Sequence, residues 1–300
     1  MIIVVGENVV DLIPAGNGLL RPALGGGPAN TAVAAARLGG PVAFAGRFGN
    51  DTYGRAFRER LRDAGVDLRH AVDMPNPSAL ALASIDASGA ATYDFWLDNA
   101  ADFTDAPLPT TSGDDIAHIG SLGAYWPPGA DGIERWIDSA QATVTLDVNL
   151  RPIVLTTQPD AIDRLSRLVQ RAHVVKASDD DLLMAYPGID PETTARTWLD
   201  APGPALVVLT LGAKGAVGLS RDGRRVHMPA PPITVADTIG AGDAAMGALL
   251  TRLAAIGLTE AAGDLDGTLR FIVATSALAC TRSGAYAPSA SDVEASMRVG

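Results

Sequence analysis

The chain has 300 residues, enough for one large α/β domain or two smaller ones, and enough to bury a core without disulfide or metal staples. Its 34 Asp and Glu outnumber 23 Lys and Arg, giving a formal net charge of −11, which argues against a nucleic-acid binder or a protein that rests on an anionic membrane. Apolar residues make up 47%, too many for a disordered chain.

No uncharged apolar run of bilayer length stands out, so no membrane partner is expected. The start, MIIVVGENVVDLI, lacks a basic leader and carries Glu7 and Asp11, so it reads as a first strand. One cysteine, Cys280, permits no disulfide within the chain, and a reducing cytoplasm is the expected compartment.

Four consecutive apolar residues at 2–5 predict a strand buried on both faces. Residues 11–24 are extended and turn-rich. Gly25–Pro28 then opens a helix over 29–38, followed by a strand at 42–45 and a helix at 54–64 with Gly65 at its C′ position. Residues 78–85 and 90–96 flank the turn cluster Asp86-Ala87-Ser88-Gly89 and predict a hairpin. Further strands are expected at 116–119, 144–147, 174–175 and 205–211. Helices are expected at 160–172, 179–185, 193–199, 241–256 and 260–280. The alternation predicts an α/β fold with a mostly parallel central sheet and right-handed crossovers. The segments near 10–24 and 76–102 break that rhythm, and predict a small β lid inserted in a single domain over 1–300.

Five segments carry candidate chemistry. Asp237-Thr238-Ile239-Gly240-Ala241-Gly242-Asp243 opens an apolar helix. Its glycines let backbone amides approach a ligand, and free N–H groups at a helix start suit an anion such as a transferring phosphoryl group. Asp243 on the first turn is placed to take a proton from a hydroxyl, or simply to complement the helix dipole. Leu24-Gly25-Gly26-Gly27-Pro28-Ala29-Asn30 offers bare backbone and one amide side chain to a hydroxyl-bearing ligand, or is an ordinary loop. Thr210-Leu211-Gly212-Ala213-Lys214-Gly215 reads on its own as a hairpin turn. Asp147-Val148-Asn149-Leu150-Arg151-Pro152 follows a strand, on the edge where such sheets bind ligands. Ser178-Asp179-Asp180-Asp181 is a helix cap, or a hydrated magnesium site. The histidines show no metal-ligand spacing, and neither a dinucleotide fingerprint nor a Walker A loop is present.

Taken together, Asp11, GGGPAN at 25–30, GRFGND at 46–51, DVNLRP at 147–152, TLGAKG at 210–215 and DTIGAGD at 237–243 resemble the ribokinase-like, or PfkB, family of carbohydrate kinases, in family order across nearly the whole chain. The resemblance implies a ribokinase-like three-layer α/β/α sandwich with a β lid, and ATP-dependent phosphorylation of a sugar hydroxyl. It implies that Asp243 is the general base and that the amides of Gly240, Ala241 and Gly242 form an anion hole. It implies sugar binding by Asp11, Gly26, Gly27 and Asn30, with Asn99 and Arg151 also toward the sugar. Asn149, Thr210, Gly212, Gly215, Ala277 and Gly284 are implied on the nucleotide side. Magnesium accompanies ATP in the family, and a potassium site is implied at Asp237, Ile239 and Gly284. Pairing of two copies through the lid is a further expectation.

The DVNLRP string is similar to fructokinases and 2-keto-3-deoxygluconate kinases. Acid kinases carry a Tyr-x-Arg on the lid strand, and the stretch taken to match it here, Phe95-Trp96-Leu97, has no arginine and is followed by Asp98 and Asn99. A carboxylate substrate needs a cation, so a neutral hexose is favoured, with Arg21 as a possible substitute cation. The chain departs from the family pattern at Ala245, where Phe is usual, and at Ser178-x-x-Asp181, where Asn-x-x-Glu is usual. A non-catalytic sensor on the same fold is the rival of another class.

Overall fold

The computed structural model describes residues 1–85, 91–200 and 202–299, so the turn expected at 86–89 lies outside the described residues. The chain opens with β1 (Ile2–Val4), then makes a hairpin of β2 (Val9–Pro14) and β3 (Leu20–Gly25). Next come α1 (Gly27–Arg37), β4 (Val42–Phe44), β5 (Arg47–Gly49), α2 (Thr52–Asp63) and β6 (Val72–Met74). A second hairpin follows, β7 (Ala79–Ile85) and β8 (Ala91–Trp96). The body resumes with β9 (Ile116–Gly120), α3 (Gly129–Ser139), β10 (Thr143–Asp147), α4 (Pro152–Thr157), α5 (Ala161–Arg171) and β11 (Val174–Ser178). It continues through α6 (Asp179–Ala185), α7 (Pro191–Asp200), β12 (Leu206–Thr210), β13 (Ala216–Ser220) and β14 (Arg225–Met228). Three helices close it: α8 (Ala241–Gly263), α9 (Leu265–Ala279) and α10 (Ala290–Val299).

The central sheet has eight strands in the order β14-β13-β12-β11-β10-β9-β1-β4, parallel from β12 to β4 and antiparallel at β13 and β14. Its strands are apolar on both faces because helices cover both. Ile2 and Val4 pack with α1, α2, α8 and α9, whereas Ile3 and Val5 pack with α3, α5, α6 and α7. This alternation of one strand between two cores is the expected three-layer sandwich.

Close helix approach follows from small residues. A Cβ at Gly247 of α8 would stand 2.6 Å from the Ala34 Cβ of α1, so glycine there lets the two helices meet. Asp51 caps α2 by accepting from the Gly54 amide, and Gly65 beyond its end has φ +86°. Gly257, at φ +78°, breaks α8 just after the expected end of the helix at 256. By length and composition α8 would pass for a membrane span, yet half of that stretch is buried, and it packs against α1 and α9 as a core helix.

The second sheet is β3-β2-β7-β8. It is the expected lid, built from both irregular segments. Pairing of Asp11 with Ala23 and Ala81, and of Ala81 with Phe95, puts these side chains on one face. Tyr93 opposite Ala83 shares that face, as does Arg21 opposite Ile13. This corrects the expected match of the lid strand. Because side chains alternate, Tyr93 and Phe95 point inward and stack at 6.0 Å, while Trp96 turns outward and is 54% exposed. Leu97 is buried beyond the strand's end, so the inward pair is Tyr93-x-Phe95, again without arginine. Strands β5, β6, β13 and β14 and helices α3, α4 and α10 were not expected from periodicity. All of the strands and α4 are short, and β14 alternates only between half-exposed and exposed residues.

Candidate active site

The parallel strands end where the lid begins. Gly26, at φ +92°, caps α1 with no room for a side chain, since a Cβ there would stand 2.7 Å from the Glu7 carbonyl oxygen. A Cβ at Gly25 would strike the Asp11 carboxylate, and one at Gly27 would stand 2.7 Å from Asn149 Nδ2 and 3.2 Å from Ser121 Oγ. Ser121 and Asn149 follow adjacent strands β9 and β10, and both hold positive φ, 55° and 35°. Two neighbouring strand ends thus hold sparsely populated backbone conformations, and both face one glycine. Asn149, expected near the phosphates or the sugar, lies against Gly27.

Helix α8 starts at Gly240 in the left-handed conformation, without a side-chain cap. A Cβ at Gly240 would stand 2.8 Å from the Ala285 Cα, which also fixes glycine here. The Ala241 amide closes a turn onto the Thr238 carbonyl at 3.2 Å. That corrects the expected anion hole, because this donor is already engaged. The amides of Gly240, Gly242 and Asp243 have no protein acceptor among the described hydrogen bonds, and they remain available to an anion at the helix start.

Asp243 stands in the first turn, and its Oδ2 accepts from Asn30 Nδ2 at 2.9 Å. Burial raises its carboxyl above the ordinary range, while Asn30, Arg151, Lys176 and Arg60 pull it back down. Asp11 faces it from the lid and rises to about 6, through burial and then the Asp243 charge, with Arg151 opposing. Burial raises the Tyr93 phenol, with Asp11 and Asp237 adding to the rise and Arg151 opposing it. Arg151 itself is exposed. The site thus gathers Asp11, Gly26, Gly27, Asn30, Asn149, Arg151 and Asp243. Asn99 is not joined to them by any described contact, as its side chain is bonded to Asn76 at the foot of the lid.

Lys176 was missed by the sequence reading. It is 4% exposed and donates to both Asp147 oxygens, at 2.8 and 2.9 Å. A Cβ at Gly242 would meet Lys176 Nζ at 3.7 Å, so a buried ammonium lies beside the amides at the helix start. Its only advance sign was a Lys inside an apolar strand, where an unpaired charge would be costly.

Thr210, Gly212 and Gly215, the residues expected on the nucleotide side, form the β12–β13 turn. A Cβ at Gly212 would meet nothing within 4 Å, which leaves that backbone open. Ala277 of α9 is buried, and Ser276 beside it donates to the Ala241 carbonyl. Asp237 accepts from the Ile239 amide at 3.0 Å and the Gly284 amide at 2.8 Å, so the three residues named for a monovalent cation do come together. The space at Gly284 is open, and the carboxylate and the nearby carbonyls are the hard oxygen donors such an ion takes.

Ser178 and Asp181 form a capping box, and Asp181 also accepts from the Leu150 amide. Both oxygens are spent on structure. Among the described residues no cluster of three metal-binding side chains occurs. His118 is buried on Thr145, and burial with the Lys176 charge drops it to about 3, so it stays a neutral core residue.

Glu7, behind the loop, accepts from the Gly123 amide at 2.8 Å and is raised from 4.5 to about 7, chiefly by burial. The folded chain therefore keeps a proton that the unfolded chain has lost. Its contribution is full below about 4.5 and is lost as pH rises through about 7, on the order of 3 kcal/mol. Urea denaturation at pH 5 and pH 8 should show stability falling with pH, and Glu7→Gln should flatten that fall. Equal slopes in both proteins would show that Glu7 is not protonated in the fold.

A three-layer fold with a lid over paired glycine loops and a carboxylate at a bare helix start defines an enzyme that transfers an anionic group to a hydroxyl. The chain matches the pfkB family carbohydrate kinases over residues 2–292 and belongs to that family, whose members are phosphotransferases acting on a hydroxyl. It is 32% identical to a fructokinase of Salmonella typhimurium over 94% of both chains. Among solved structures, it resembles the fructokinase of Vibrio cholerae bound to fructose, ADP and calcium ion, at a TM-score of 0.87 and 30% identity over 99% of this chain and 98% of that one. It is equally similar, at a TM-score of 0.87 and 28% identity over 99% of both chains, to the aminoimidazole riboside kinase of Salmonella enterica bound to aminoimidazole riboside and an ATP analogue.

Proposed function

We propose that the protein is a cytoplasmic fructokinase, which moves the γ-phosphoryl group of ATP to a primary hydroxyl of fructose. The observation that carries the reading is the bonded Asn30–Asp243 pair, set under the lid beside free amides, in a chain so similar to fructokinases. The sugar lies between the Gly26–Gly27 backbone and the lid, with Asp11 and Asn30 accepting and donating to its hydroxyls. Asp243 takes the proton of the attacking hydroxyl, and the free amides at the start of α8 meet the charge that develops on the phosphoryl oxygens. Magnesium, arriving with the nucleotide, neutralises phosphate charge. Asp237, Ile239 and Gly284 would hold a potassium ion, whose charge would steady the loop that presents those amides.

A neutral sugar suits the lid. The inward pair Tyr93 and Phe95 offers aromatic faces, and the cation an acid substrate needs is absent from β8. Arg21 shares the inward face but lies two register pairs from Asp11 toward the tip. The same aromatic pair would also stack on the ring of a riboside, which keeps a riboside as the second reading. The outward face of the lid carries Leu20, Leu82 and Trp96, and we propose that a second copy covers it.

The reading is tested by ADP release with Mg-ATP, with and without potassium, on fructose, glucose, ribose, 2-keto-3-deoxygluconate and aminoimidazole riboside. Fructose is expected to give the highest kcat/KM, with a gain from potassium. A preference for the sugar acid would overturn the neutral-sugar pocket, and a preference for the riboside would favour the second reading.

A further inference from the structure

Arg60 belongs to α2, and in the sequence it is one of several charges in RERLRD. In the structure it is partly buried, and its guanidinium is committed at two points. One nitrogen donates to the Leu24 carbonyl at 2.8 Å, where β3 runs into the glycine loop. The other donates to Asn30 Oδ1 at 2.8 Å. Asn30 in turn gives its Nδ2 to Asp243 at 2.9 Å. A guanidinium has donors only, and an ionised carboxylate has acceptors only. An amide placed between them satisfies both in a single orientation.

We propose that Arg60 is a positioning residue for phosphoryl transfer, which locks the Asn30 amide with its N–H toward Asp243 and pins the root of the glycine loop through Leu24. The inference rests on the reading of Asp243 as the base. Arg60 touches no reacting atom in this scheme; beyond the direct pull of its charge on Asp243, it acts through Asn30. Without it the amide can turn, and its oxygen would then face the Asp243 carboxylate.

The groups facing Asp243 are Asn30 on α1, Arg60 on α2, Arg151 after β10 and Lys176 on β11, with the carboxylates Asp11 on β2 and Asp147 on β10. All but Arg60 remain in an Arg60→Met variant. Lys at position 60 keeps the charge but not the rigid two-pronged fork.

The test is a carbon-13 titration of the Asp243 carboxyl in the full chain, wild type and Arg60→Met, Asn30→Ala and the double variant, with kcat measured on the single variants. The Asp243 midpoint should move up in Arg60→Met, because a nearby positive charge and the lock on the amide are both lost. In an Asn30→Ala background the same change should move it by less than half as far, because the amide that relays the effect is gone. Turnover in Arg60→Met should fall about tenfold with KM for ATP unchanged, and Arg60→Lys should recover part of it. If Arg60→Met melts well below the wild type, the titration is read on Arg60→Lys, where a smaller upward move is expected. An unmoved midpoint, or an equal move in both backgrounds, would overturn the relay. The titration reads Arg60 whether or not Asp243 proves to be the base, which Asp243→Asn turnover decides separately.

Discussion

Replacing Asp243 by Asn should lower turnover by roughly 10²–10⁴, with KM for ATP and for the sugar changed only a few-fold. Asn keeps the shape of the side chain and can still accept from the Asn30 amide, and the free backbone amides of α8 are untouched. What is lost is the capacity to take a proton. On the proposed function, binding falls to the glycine loop, Asp11 and the turn after β12, so it should survive. In the wild type the acid side of the kcat profile should lie above the ordinary carboxylate range, since burial raises Asp243 and the base must be ionised to act. Near wild-type turnover in the variant would remove Asp243 from the chemistry.

The second large effect is expected at Lys176. Both it and Asp147 are almost fully buried, and the ammonium meets both carboxylate oxygens. Burial opposes its charge, but Asp147, together with Asp181 and Asp243, holds the ammonium above its ordinary range. Lys176→Met would leave a buried carboxylate alone, at a cost of about 3–5 kcal/mol. For a chain of 300 residues that is a fall in Tm of roughly 5–8 °C. Adding Asp147→Asn removes the stranded charge and should restore most of the stability. Turnover should not return with it, because the positive charge beside Gly242 is still missing. Thermal melts and kcat on the two variants separate these effects. Recovery of both together would make the pair purely structural.

The order of layers was legible because long apolar strands and small-residue helices repeat along the chain. The lid was legible because residues 10–24 and 76–102 interrupt that repeat. Short elements were not, and β5 and β6 are three residues each, too brief to show a period. The glycine positions were the most readable part of the site, because Gly26, Gly27 and Gly240 stand where a Cβ would collide with backbone or with a neighbouring side chain. Side-chain partners across the fold were not readable. Arg60 lies 30 residues from Asn30, and nothing in the local sequence of α2 points there. The lid strand was read two residues out of place, since only the pairing register tells which of Tyr93, Phe95 and Trp96 face inward. The Ala241 amide was counted as free because the turn onto Thr238 is a matter of backbone angles, not residue type.

The most direct measurement is phosphorus-31 NMR of the products formed from Mg-ATP and carbon-13-labelled fructose. One phosphomonoester is expected, its phosphorus coupled to a primary carbon of the sugar, formed in step with ADP. Inorganic phosphate as the main product, or ester on a secondary carbon, would contradict it.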